Sequence, residues 1–253
     1  MAKKVCLVLG AGAGIGGAVA AKFAREGYHA CLCRRSDQEG LDNLVEQIKD
    51  SGGHASGFIL DATEEGSLEN LILQIEKDIG EIGVLVYNLG AQSGMKLLNE
   101  TSLNEFEWGW RVGNFGLFRV AKVLMPIMVK RGYGTFLVTS ATAAMRGNKN
   151  QHSHATAMGG RRMLCQTLNA EFASQGIHVA HVIVDGMVDA PDTLGKMLGK
   201  ERFQELRDTK GKEDGLILPT EIAETYYYLS QQHRSSWTHE IDIRSFSDKA
   251  WWN

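Results

Sequence analysis

Three stretches of this chain carry residue types and spacings suited to chemistry. Glycines stand at positions 10, 12, 14, 16 and 17, directly after the apolar run VCLVL at 5–9. Such a tract lets the backbone approach a pyrophosphate, and the helix that follows offers free N–H groups and partial positive charge to an anion. It fits two registers, Gly12-x-Gly14-x-x-Gly17 and the wider Gly10-x-x-x-Gly14-x-Gly16, which encloses Ile15. Because the apolar run stops at Leu9, the first tight turn falls on Gly10, and that favours the wider register. The second stretch is Arg34-Arg35, at the end of HACLC (29–33). Paired guanidiniums clamp a phosphate through charge-assisted, bidentate hydrogen bonds, although solvated surface arginines give the same pattern.

The third stretch is QHSHATAMGGRR at 151–162. As metal ligands, His152 and His154 need a third partner. A His-x-His pair shares one face only in a strand, whereas this stretch opens a helix, so no metal site is expected. An unperturbed imidazole titrates near pH ~6.5, which makes His154 a candidate acid–base group instead.

The elements that position these groups alternate along the chain. HACLC, GFIL (57–60), GVLVYN (83–88), TFLVTS (135–140) and HVAHVIVDG (178–186) read as strands. Between them, 18–27, 41–50, 68–80, 118–132, 155–174 and 219–233 carry helical periodicity. Pro126 should bend its helix or mark its last turns, and Pro219 opens one. Strands alternating with helices imply a Rossmann-like, doubly wound parallel α/β sheet. With no linker or internal repeat, 1–253 reads as a single domain.

Composition narrows the function classes. A formal net charge of −3 and a pI near 6.2 give no electrostatic case for nucleic acid or an anionic membrane. The apolar run at 5–9 is too short for a signal peptide or a membrane span. Four cysteines without CxxC spacing read as reduced, mostly buried thiols of a cytoplasmic protein.

Several motifs, in order, resemble the short-chain dehydrogenase/reductase family: the Gly10/Gly14/Gly16 tract, Asp61 after the third strand, Tyr87-Asn88-Leu89-Gly90 after the fourth, and 183–188 with Asp185 in place of a proline. Helix 219–232 and a terminal strand near 238–243 match as well, so the resemblance covers nearly the whole chain. It implies a nicotinamide dinucleotide held by Gly10, Gly14, Ile15 and Gly16, by Asp61 and Ala62, by Asn88 and Gly90, and by Asp185, Gly186 and Val188. Asp185 would accept a hydrogen bond from the carboxamide, unless it is an ordinary turn residue before Gly186. Arg34-Arg35 stands where a carboxylate would select a free ribose 2′-hydroxyl, and Asp37 follows both arginines. NADP(H) is therefore favoured over NAD(H). The resemblance further implies a small-molecule substrate, a homo-dimer or homo-tetramer, and a substrate-covering segment at 187–215.

The family's chemistry is hydride transfer between the nicotinamide and a carbinol or carbonyl carbon, served by an Asn, a Ser and a Tyr-x-x-x-Lys. Here the Tyr position falls on His154 and the Lys position on Met158. The Ser position is Ala141, one after Ser140, and the Asn position is Gly113, one before Asn114. No tyrosine lies between Tyr133 and Tyr226. The expectation is that His154 takes over as proton donor and Ser140 polarises the carbonyl. A neutral Met158 suits that role, since a nearby cation would oppose the imidazolium. Arg161 and Arg162 are read as lying a turn further along, away from the nicotinamide. Two alternatives stand beside it: other chemistry in the same pocket, such as reduction of an activated C=C bond or a non-redox step, and a non-catalytic cofactor binder. His178 and His181 read as packed histidines, and Trp251-Trp252 as buried at a subunit contact or on the protein's own surface.

Overall fold

The computed structural model describes residues 4–90 and 95–252. The glycine tract is preceded by β1 (Lys4–Leu9) and followed by α1 (Ile15–Arg25). The chain continues through β2 (His29–Arg34), α2 (Gln38–Asp50), β3 (His54–Ile59), α3 (Ser67–Asp78) and β4 (Glu81–Tyr87). Then come α4 (Leu103–Trp110), α5 (Gly116–Arg131), β5 (Gly134–Ala141), α6 (His152–Phe172) and β6 (Ile177–Asp185). The last elements are α7 (Lys196–Leu198), α8 (Lys200–Asp208), α9 (Pro219–Gln231) and β7 (Glu240–Arg244).

The strands form one seven-stranded sheet in the order β3-β2-β1-β4-β5-β6-β7, with every adjacent pair parallel. β1 shows why the apolar runs are unbroken. Val5, Leu7 and Leu9 face one core with residues of α3, α5 and α6, whereas Cys6 and Val8 face a second with residues of α1, α2 and α9. A strand covered on both faces needs apolar residues at every position. All four cysteines are free and buried. The order reverses at the β1/β4 pair, and in such sheets the crevice beyond the strands' carboxyl ends at this switch point is where ligands bind.

Three local features differ from the periodicity reading. β3 starts at His54, three residues before GFIL, because His54, Ala55 and Ser56 pair with His29, Ala30 and Cys31. This edge strand tolerates polar residues that hide it from a hydrophobicity scan. A helix over 103–115 precedes the one expected at 118–132, and the two join through a π-helical turn at Arg111–Phe115. Its start is marked by a capping box, in which Ser102 Oγ accepts from Glu105 N–H and the Glu105 carboxylate accepts from Ser102 N–H. Leu103–Arg131 is long and apolar enough to cross a membrane by length and composition. Here Leu117, Val120, Leu124 and Met128 bury that apolarity in the first core. Pro126 lies within α5, which runs on to Arg131.

The segment 187–215 folds into a π-helical turn at Pro191–Gly195, α7, α8 and a 3-10 turn at Lys210–Glu213. Leu194, Phe203 and Leu216 give it a small core of its own.

Candidate functional site

Leu9 ends β1, and Gly10 turns the chain at φ +95°, a left-handed value that favours glycine. A Cβ on Gly10 would sit 2.6 Å from the Asn88 carbonyl oxygen, so the tips of β1 and β4 touch here. Asn88 Nδ2 donates to the Gly10 carbonyl at 2.9 Å, and Asn88 N–H donates to Leu9. The N–H groups of Gly10 and Ala11 both donate to the Cys33 carbonyl, tying the loop to β2. Helix α1 then starts at Ile15 with Gly14 as its cap, without a side-chain cap bond and without an acid in the first turn. This turn realises the wider glycine register. It leaves N–H donors and the helix's positive end facing the crevice.

An anion already uses those donors. Asp192 Oδ2 accepts from Ala13 N–H at 2.9 Å and from Arg34 Nη2 at 2.9 Å. A carboxylate held there shows that the donor set fits a phosphate oxygen, so the residues present suit the dinucleotide that the motifs imply. Arg34 also pairs with Asp37 Oδ2 at 2.9 Å. Arg35 is exposed, its guanidinium 5.8 Å from the centre of the Trp108 ring. Beside it a smaller cavity of about 220 Å³ is lined by Asp61, Ala62, Gly90 and Trp108 among others. Asp61 Oδ1 accepts from Thr63 N–H at 2.8 Å and from its hydroxyl at 2.6 Å, which fixes the carboxylate at the cavity edge.

The main cleft, about 460 Å³, runs from the glycine loop to α6. At its far end lie Ser140 from the tip of β5, His154, Met158 and Arg161 from α6, Leu89 after β4, and Val188 after β6. Ser140 is buried, and its Oγ meets Met158 Sδ at 3.9 Å, a weak acceptor. His154 Nδ1 is buried without a hydrogen-bond partner. Burial, and then the Arg161 charge, push the His154 pKa down to about 4.

Arg161 is the group that sequence reasoning placed wrongly. It is 2% exposed and lines the cleft instead of lying beyond it. Its Nε donates to the Gly113 carbonyl at 2.7 Å, Nη1 to Thr139 at 2.5 Å and Nη2 to Leu89 at 2.8 Å. The Tyr87 ring centre is 5.1 Å from the guanidinium carbon. No carboxylate pairs with it among the described residues. The positions 154, 158, 161 and 165 share one helix face, and that periodicity was the signal available in the sequence. Met158 therefore does not keep His154 away from a cation, and the neutral imidazole is the ground state at pH 7.

Asp185 is the second correction. Its carboxylate turns from the cleft to the C-terminal tail, where Oδ2 accepts from Trp251 N–H at 3.0 Å. Side chains alternate along β6, and the position next to β7 sends this one under the tail. Gly186, at φ +151°, and Val188 carry the chain on past the cleft. Trp251 packs on its own chain, with Nε1 donating to Asp242 at 2.9 Å, whereas Trp252 is 58% exposed. His178 Nε2 donates to the Thr238 carbonyl and stacks on Trp237, and His181 pairs with Glu240, which also binds Arg162. Among the described residues, no three His, Cys, Asp or Glu side chains converge as a metal site would require.

A family model described as short chain dehydrogenase matches residues 4–197. The chain belongs to the short-chain dehydrogenase family. It is 27% identical over 240 residues to the 3-oxoacyl-(acyl-carrier-protein) reductase FabG of Thermotoga maritima, spanning 94% of each chain. It is 31% identical over 235 residues to the short-chain reductase NovJ of Streptomyces niveus, spanning 90% of this chain and 87% of NovJ. The alcohol dehydrogenase of the archaeon Thermococcus sibiricus, complexed with 5-hydroxy-NADP, superposes with a TM-score of 0.81 at 25% identity over 98% of both chains. These relatives are named as reductases or a dehydrogenase. The glycine loop, Asn88 and the tip of β5 line one cleft.

Proposed function

We propose that the protein is an NADP(H)-preferring oxidoreductase acting on a small carbonyl or alcohol, or an activated C=C bond, with Arg161 supplying the positive charge of the reaction site. The observation that carries this reading is a single cleft joining an anion-binding loop to a buried cation and a neutral imidazole. Gly10, Gly14, Ile15 and Gly16 would hold the pyrophosphate, Arg34 and Arg35 the 2′-phosphate, and Asp61 and Ala62 the adenine. Asn88, Gly90, Gly186 and Val188 would line the rest. The names of FabG and NovJ as reductases, and the NADP analogue bound to the Thermococcus sibiricus enzyme, agree with it.

When bound, the cofactor supplies the hydride. What this chain must supply is a group to answer the negative charge that develops on the substrate oxygen. A fixed cation in a water-poor site does that at little reorganisation cost. Arg161 has the charge. His154, with a pKa of about 4, holds the oxygen by a hydrogen bond instead of acting as a protonated acid. The proton is then taken up from solvent. Ser140 Oγ, held by thioether sulfur alone among the described residues, is available to the same oxygen.

Titration with NADPH and NADH tests the cofactor reading, with Arg34→Asp and Arg35→Asp as variants. The expected result is at least a ~10-fold loss of NADPH affinity in one or both, and unchanged affinity in both would overturn it. Turnover is tested on a carbonyl and enone panel with wild type and His154→Phe. Equal rates would remove His154 from the site's chemistry. Intact binding with no turnover in either would instead support a non-catalytic cofactor binder.

The family resemblance also supports a homo-oligomer built on the long central helices. In the single chain, Trp110, Phe115 and Phe118 of the 103–131 helix and Met163 of α6 are 36–50% exposed. A charge placed among them, as in Phe118→Glu, should lower the assembled mass in sedimentation, because burying an unpaired carboxylate costs several-fold more than the contacts return. The same mass in variant and wild type would argue against this face.

A further inference from the structure

Asp192 lies on the segment that covers the cleft, yet its carboxylate reaches the glycine loop. Oδ2 accepts from both Ala13 N–H and Arg34 Nη2 at 2.9 Å, and Oδ1 pairs with Lys196 at 3.2 Å. Arg34 is largely buried, with 11% of its side chain exposed, so this contact is not a solvated surface pair. The approach is close at two glycines of the loop. A Cβ on Gly12 would lie 3.4 Å from Asp192 Oδ2, and one on Gly14 would lie 2.9 Å from the Ala190 Cβ. The contact therefore joins the cofactor loop to the segment at 187–215 at two adjacent points.

We propose that Asp192 is a cofactor-specificity residue, a carboxylate that occupies the donors of the 2′-phosphate subsite until a 2′-phosphorylated dinucleotide displaces it. The inference rests on the NADP(H) reading above and adds a competitor to it. Ala13 has one N–H, so a phosphate oxygen and Asp192 Oδ2 cannot both accept from it. Two anions against Arg34 would also repel one another, and Asp37 already adds one negative charge there. A phosphate carries more charge and more acceptor oxygens than a carboxylate, so it wins the same donors by charge-assisted hydrogen bonding. Displacement frees Pro191–Gly195 and α7 from the loop. Occupation of the cofactor site is thereby linked to release of the segment above the reaction end of the cleft. A dinucleotide without the 2′-phosphate has less to offer Arg34 and leaves Asp192 in place.

The test is Asp192→Asn, with Asp192→Ala as a second variant, measured by binding titration against NADPH and NADH. Asparagine keeps the size and an acceptor oxygen but removes the charge. The expected result is a gain in NADPH affinity of about ten-fold with NADH affinity changed by less than about three-fold. An independent readout uses adenosine 2′,5′-bisphosphate and adenosine 5′-phosphate as probes on the wild type. Amide exchange over 187–199 should rise with the first and not with the second. Unchanged NADPH affinity in both variants, or an exchange rate indifferent to the bisphosphate, would overturn the role of Asp192 while leaving the cofactor reading intact. A loss of NADH affinity in Asp192→Asn would also overturn it, since Asp192 would then be accepting the ribose 2′-hydroxyl. Failure of wild type and variants to bind either dinucleotide would overturn both.

Discussion

Arg161→Leu is expected to lower stability by ~2–4 kcal/mol and to raise the pKa of His154 from about 4 toward the ordinary imidazole value. The guanidinium donates to the carbonyls of Gly113, Thr139 and Leu89, which come from the π-turn, β5 and the chain after β4. Leucine fills part of the volume but leaves three buried acceptors without these donors, each worth ~1–3 kcal/mol. Removing a buried charge that has no carboxylate partner offsets part of that loss, which keeps the total below the sum. Burial alone still holds the histidine below its usual value, so its pKa rises only part of the way. Arg161→Lys keeps a charge and loses the three-way fork, so it should destabilise the protein with little movement of His154. Urea unfolding and NMR titration of the His154 ring separate these effects. An unmoved His154 pKa in Arg161→Leu would remove the electrostatic link.

The same link has a pH signature. A histidine with a folded pKa of about 4 binds fewer protons folded than unfolded between that pH and ~6.5. Its contribution is complete above pH ~6.5 and is lost as the pH falls toward the folded value. His181, also pushed down to about 4, chiefly by burial, adds to the same window. Stability should therefore fall in acid more steeply in the wild type than in Arg161→Leu.

Gly16→Ala is expected to weaken NADPH binding by ~100-fold or more and to cost ~2–4 kcal/mol of stability. The reason is position, not left-handed backbone. A Cβ on Gly16 would lie 2.2 Å from the Gly10 carbonyl oxygen and 2.8 Å from the Ala11 Cα. Both are backbone atoms, so no side-chain rotation relieves the contact and the loop must move. Gly10 is in turn held against Asn88, so the displacement spreads to the tip of β4. Gly147→Ala is the control: it is exposed, its Cβ would meet nothing within 4 Å, and it should leave both quantities nearly unchanged. Normal NADPH affinity in Gly16→Ala would mean that the loop does not carry the pyrophosphate.

Much of the fold was legible because its signals are local. VCLVL followed by glycines can hardly be anything but a fully covered strand feeding a tight turn and a helix. The order of its motifs resembles that of the family to which the chain belongs. The start of β3 and the helix at 103–115 were less legible, for different reasons. The first carries polar residues on a sheet edge, and the second is marked only by its Ser102/Glu105 capping box.

The sequence by itself determined the doubly wound sheet, the place of the glycine turn after its first strand, and the His154/Met158 spacing at the start of a helix. Those depend on residue type and spacing along one strand, one turn or one helix. Only the tertiary structure decided that Arg161 reaches the cleft, that Asp185 serves the tail, and that Asp192 holds Arg34 from 158 residues away. Each depends on which backbone carbonyl, N–H or opposite charge a distant element brings within about 3 Å, where hydrogen bonds form. Charge in the sequence shows that a side chain can bind an ion. The fold chooses the ion, and here it set the Asp192 carboxylate against Ala13 N–H and Arg34, and Arg161 beside the histidine.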